Sequence, residues 1–278
     1  LAAGSVVDSA VVVAEDSVGS VAVAALAEVA VVPTGKPAST MHLDDLVSQL
    51  RLAHGDALIG VVLYGSAASD ELVVGHSDQN VLVIVESISA ETLRTLGQTA
   101  RAWQEAGNPP PLELTRREWL RSADVFPMEY ADILERHRVL TGTLPMEGVA
   151  VHLADLRLQV EQEALGKLLR LRRATMTAGT DVSRQREVLR ASLSAMLVIF
   201  RSVLRLHGEK PARDAGEVIA HVASRCGFDA SPFLKVHRLV RGGVIADGEV
   251  TGVLTAYLAG AEALVTYLDQ FTLPPDTP

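Results

Sequence analysis

Two short apolar runs set the reading of the first half of the chain. Leu58 to Tyr64 and Val81 to Val85 are dominated by β-branched and aliphatic residues, and Gly and polar residues bound each of them. Runs of this length and composition predict buried neighbouring strands. Residues 44–53 predict a short amphipathic helix leading into the first strand. Residues 90–107 carry helical spacing at Leu93, Leu96, Ala100 and Trp103, and stop at Gly107-Asn108 before three prolines. Leu112 to Leu114 predicts a third strand, and Thr115-Arg116-Arg117-Glu118 has the form of a capping box opening a brief helix. A fourth strand is expected within Val125 to Ile133, where Glu129 would point away from the face of Met128 and Tyr130.

Beyond Gly148 the pattern changes to helical periodicity alone. Residues 152–177 and 183–207 predict two long helices, followed by helices at 214–225, 232–241 and 249–271, with Gly- and Pro-bearing loops between them. The expected fold class is therefore an α/β domain with a mixed sheet, followed by an all-α helical bundle. The domain limits expected are 41–148 for the first and 149–272 for the second, with residues 273–278 as a tail. Residues 1–40 differ: rich in Val, Ala, Ser and Gly, acidic, with no basic residue before Lys36. They lack the positive start of a signal peptide and the unbroken length of a bilayer span. Folding is expected to begin near Met41, with 1–40 a dispensable or misread leader whose deletion leaves stability unchanged; an added edge strand is the alternative.

The chemistry lies where the first strand ends and the second begins. Gly65-Ser66 offers backbone N–H donors with little side chain in the way, which suits close approach of a triphosphate. Ser77-Asp78-Gln79-Asn80 opens the second strand, and residues at i and i+2 project from one face. Asp78 and Asn80 would then present oxygens to Mg²⁺ shared with the phosphates, and Ser77 would join Gly65 and Ser66 in holding nucleotide.

This segment, with its strand, Gly-Ser pair, spacer and Asp-x-Asn, resembles the nucleotidyltransferase superfamily of the DNA polymerase β type. It is similar in layout to the small bacterial members such as kanamycin nucleotidyltransferase and the minimal nucleotidyltransferases. The resemblance implies transfer of a nucleoside monophosphate from an NTP, most simply ATP, to a hydroxyl of a small molecule or protein. It implies Mg²⁺ as cofactor, and a third carboxylate, assigned to Glu129 with Asp132 as second choice. Asn80 stands where the family has its second Asp. It keeps an oxygen ligand but removes a negative charge, so a catalytically degenerate nucleotide-binding module is the rival expectation.

Charge and composition narrow the partners. The 278 residues carry a net charge of −9 and 4% aromatics, which excludes a general nucleic-acid binder held by phosphate contacts or base stacking. The single cysteine, Cys226, rules out an internal disulfide and a thiolate zinc cluster, and points to a reducing cytoplasm. No membrane partner is expected, and a homodimer is allowed.

In the helical half, Arg157 and Glu161 fall one turn apart within an apolar side. They are read first as an ion pair at a seam between domains, with Arg157 and Lys167 as candidate phosphate or substrate contacts. Arg190, Ser194, Arg201 and Arg205 form a stripe expected at the surface, with a groove towards an anionic substrate as the alternative. Arg201 and His207 have the Arg-x5-His spacing that resembles HEPN-type ribonucleases, a third functional alternative; the simpler reading of His207 is a helix-end histidine favoured by the dipole.

Overall fold

The computed structural model describes residues 41–68 and 79–273. The expected leader 1–40, Ser77, Asp78 and most of the tail lie outside the described residues.

Four strands form one mixed sheet in the order β3-β2-β1-β4. They are β1 (Leu58–Tyr64), β2 (Asn80–Val85), β3 (Leu112–Thr115) and β4 (His137–Gly142). β1 pairs antiparallel with both β2 and β4, while β2 and β3 run parallel. The central pair is apolar without alternation because both of its faces are covered. Val61, Leu63, Val81, Val83 and Val85 face a cluster that contains Leu46, Leu50 and Trp103. Val62, Leu82 and Ile84 face the other way, onto Trp119, Tyr130 and Ile133. Gly60 is required where β1 and the end of β4 approach: a Cβ there would lie 2.1 Å from the Thr143 carbonyl oxygen.

Helix α1 (Leu43–His54) supplies Leu46 and Leu50 to the first of these clusters. The helix expected over 90–107 is divided into α2 (Ala90–Thr95) and α3 (Gly97–Glu105). The capping box forms as expected at α4 (Arg116–Arg121). The Glu118 N–H donates to Thr115 Oγ1 at 3.2 Å, and the Thr115 N–H donates to Glu118 Oε2 at 2.8 Å.

The stretch expected to be the fourth strand is instead helix α5, Pro127–Glu135. Pro127 sits in the first turn, where its missing N–H costs nothing and its fixed φ favours the helix. The fourth strand follows it, beginning at His137.

Five helices then pack as a bundle: α6 (Leu153–Ala178), α7 (Val182–Leu206), α8 (Ala215–Cys226), α9 (Ser231–Val240) and α10 (Asp247–Gln270). Asp181 and Asp214 cap α7 and α8 by accepting backbone N–H bonds. The core holds Leu193, Phe200, Phe233, Val236 and Tyr257. Among the described residues α10 alone has the length and apolar composition of a membrane span. Its Val250, Leu254, Tyr257 and Leu264 are buried in the bundle core.

Candidate active site

Tyr64 closes β1 and stands directly opposite Asn80, the first residue of β2. Directly paired residues project from the same face of a sheet. Here that is the face of Val62 and Leu82, covered by α5. Gly65 follows with φ +76°, a left-handed turn that glycine adopts without strain. A Cβ on Gly65 would lie 3.4 Å from Asn80 Nδ2, so the turn and the Asn80 side chain are neighbours. The backbone of Ser66 continues this turn as a short 3₁₀ segment, Gly65–Ala68. Gln79, beside Asn80, is anchored through its N–H to Asn108 Oδ1 at 3.0 Å.

Glu129 approaches the same face from the first turn of α5. Its carboxylate accepts a hydrogen bond from Gln159 Nε2 of α6 at 3.0 Å. The orientation of the Gln159 amide is fixed by its other end, since Oε1 accepts the Met128 N–H at 2.8 Å. Burial pushes the Glu129 carboxyl above the ordinary carboxylate range, against the lowering effect of Gln159, and the Glu163 and Asp132 charges add to the rise. The reciprocal effect appears at Tyr64: burial first, then the charges of Glu129 and Asp132, push its phenol upward. Glu129 and Asp132 therefore lie within electrostatic reach of the β1 end that leads into Gly65.

Asp132 and Glu135 continue along α5 and are tied to the bundle. Arg205 of α7 donates from Nε and Nη2 to the two Glu135 oxygens at 3.1 and 2.8 Å, and from Nη2 to Asp132 Oδ1 at 3.0 Å. Arg205 is 7% exposed, so the arginine stripe expected at the surface is buried at this end. Its stripe spacing gave no sign of this, because the two acids that draw it inward come from an element seventy residues earlier.

The remaining candidates sit elsewhere. Arg157 pairs with Glu161 at 3.1 Å and donates to the Phe271 carbonyl at 2.9 Å, tying the start of α6 to the end of α10. Lys167 is half-buried further along α6. Glu113 on β3 faces α1, with its Oε1 3.3 Å from His54 Nε2, so it lies on the opposite side of the sheet from Asn80. His207 lies 2.7 Å through Nε2 from the Tyr267 hydroxyl. It caps the C-terminal end of α7 as expected, while burial, then Arg225 and His221, lower its pKa.

Among the described residues no three His, Cys, Asp or Glu side chains group as a metal site. Asn80 and Glu129 are at most two donors of such a set. What the described residues do provide is a half-buried carboxyl with raised proton affinity, held by a fixed amide, on the sheet face that carries a glycine turn. That is the equipment of a general base.

Eight chains of solved structures match this one. One is spectinomycin adenyltransferase AAD(9) from Enterococcus faecialis, solved with ATP and spectinomycin. It is 13% identical, with a TM-score of 0.53 over 82% of this chain and 100% of that one. The fold is that of a nucleotidyltransferase. No family model matches the sequence, and no curated protein does. The likeness extends over 82% of this chain, so it takes in residues of both the sheet domain and the bundle.

Proposed function

We propose that the chain transfers a nucleoside monophosphate from ATP to a hydroxyl of a small-molecule acceptor, with Mg²⁺ as cofactor. The observation that supports this most is the placement of Glu129: a half-buried carboxyl of raised pKa, on the face where Gly65 and Asn80 meet, within a nucleotidyltransferase fold. In this reading the Gly65-Ser66 backbone receives the β- and γ-phosphates. Asp78 and Asn80 hold the metal, whose role is to neutralise charge on the phosphates. Glu129, oriented by Gln159, takes the proton from the acceptor hydroxyl. The neighbour solved with spectinomycin suggests a small molecule as acceptor rather than a protein.

Asn80 supports a second reading, in which the site binds nucleotide and turns it over slowly or not at all, because a neutral amide replaces a charged ligand. One experiment separates the two. Pyrophosphate release from ATP and MgCl₂ is measured against a panel of hydroxylated acceptors for the parent chain and for Asn80→Asp. Turnover by the parent, lost in Glu129→Gln, supports the enzyme. Nucleotide binding without turnover, with activity appearing only in Asn80→Asp, supports the degenerate site. Absence of nucleotide binding in both proteins refutes both.

A further inference from the structure

Helix α6 is apolar on two opposite sides. One buries Leu156, Val160, Ala164, Leu168 and Leu171 in the bundle. The other carries Leu158, Leu165, Leu169 and Met176, exposed by 65, 45, 45 and 81%. With Gln162 and Arg172 these form a row spaced by four, three, four, three and four residues. At 100° per residue all six fall within about 40° of one line, opposite the buried face. That spacing is a coiled-coil seam, and nothing among the described residues covers it.

The row also reads the same from either end. About its centre Leu158 mirrors Met176, Gln162 mirrors Arg172, and Leu165 mirrors Leu169, so apolar meets apolar and polar meets polar. The charges of α6 are largely polarised in the same sense. Asp155, Glu161 and Glu163 lie in its first half, with Arg157 as the one cation there, and Lys167, Arg170, Arg172 and Arg173 lie in its second. Such a helix complements a reversed copy of itself. We propose that the chain forms a two-fold homodimer in which α6 packs antiparallel on α6 of a second copy along this seam. Each Glu161 then lies within one residue of the level of Arg172 of the other chain, next to the pairs these residues make internally with Arg157 and Glu262. An interface of this kind uses the same patch on both subunits. The seam is about 27 Å long at 1.5 Å per residue. A seam of that length alone gives a small interface by the standard of roughly 800 Å² per partner, so the dimer is expected to dissociate on dilution.

The test is sedimentation of the full chain over a micromolar dilution series. The expected mass at the upper end is twice 29.6 kDa. Leu165→Glu with Leu169→Glu should sediment as a monomer with unchanged circular dichroism, since both positions are exposed. Glu161→Arg should weaken the dimer about tenfold, and adding Arg172→Glu should restore it. In a Cys226→Ser background, Leu158→Cys and Met176→Cys chains should form a disulfide with each other when mixed and not with themselves. A monomer at every concentration overturns the proposal, including one whose seam is covered by its own residues 1–40. So does a dimer indifferent to the Leu165 and Leu169 changes, or self-crosslinking of Leu158→Cys.

Discussion

Replacing Arg205 by Met tests how the two halves of the molecule are held. Methionine keeps most of the unbranched stem that packs in the bundle and removes the guanidinium. Three hydrogen bonds are lost, two to Glu135 and one to Asp132. Breaking a buried ion pair from one side costs about 3–5 kcal/mol, because the partner charge stays behind without compensation. Two features move this protein to the low end. Asp132 keeps Arg136 at 3.3 Å, and the acid side chains are 25 and 28% exposed, so water relieves part of the loss. The expected destabilisation is about 3 kcal/mol, read as a lower midpoint in urea unfolding followed by circular dichroism.

The same reasoning predicts the rescue. Arg205 Nη1 is buried without a hydrogen-bond partner, so the ion pair is itself imperfectly satisfied. Removing all three charges together, as Arg205→Met with Asp132→Asn and Glu135→Gln, should therefore recover more than half of the loss. A single variant that costs less than about 1 kcal/mol, or a triple variant no better than the single, refutes the account.

Three further outcomes follow from other positions. Glu129→Gln should abolish turnover while raising stability at neutral pH. Because the folded carboxyl binds its proton more tightly than the unfolded one, the parent loses stability as pH rises from the ordinary carboxylate pKa through the folded one. The gain in Glu129→Gln should thus be full at neutral pH and absent near about pH 4, changing by at most about 1.4 kcal/mol per pH unit. The sign is reversed for His207, whose folded pKa is lowered: the parent should lose stability as pH falls through about 6.5 toward that lower value, and His207→Gln should remove that loss in urea titrations. Gly60→Ala drives a Cβ to 2.1 Å from the Thr143 carbonyl and should destabilise the sheet by about 2–3 kcal/mol; an unchanged unfolding midpoint would contradict the described register.

The sheet and bundle were legible where one physical signal decided the element. β1 and β2 announced themselves by apolar runs buried on both faces. α4 was announced by its capping box, and α6 and α7 by long helical periodicity. The break between α2 and α3 was not, because Leu96 continues the apolar spacing across it. Of the expected site, Gly65 was read as a place of little side chain and easy approach; its left-handed φ of +76° is a feature that the sequence reading did not name. Asp78 and Ser77 lie outside the described residues. The exposed seam of α6 was missed because Leu158, Leu165 and Leu169 count as apolar on any scale; periodicity reports that a helix has an apolar side, not that it has two.

The misreading of residues 125–133 shows why Glu129 stands where it does. In a strand, alternation would have sent Glu129 away from both Met128 and Tyr130. In the helix, Met128 joins the bundle core while Tyr130 and Ile133 join the sheet core. Asp132 and Glu135 turn with Met128 toward Arg205. Glu129 falls about 100° from Met128, between the bundle side and the sheet side. A single short helix wedged between two cores thus carries one acid into the angle between them and uses the next two to fasten itself. The position of Glu129 depends on that fastening. Arg205→Met should consequently lower turnover beyond what the loss of folded protein explains, with the effect on kcat, whereas Gly60→Ala, which perturbs the β1–β4 pairing away from Glu129, should lower only the amount of folded protein.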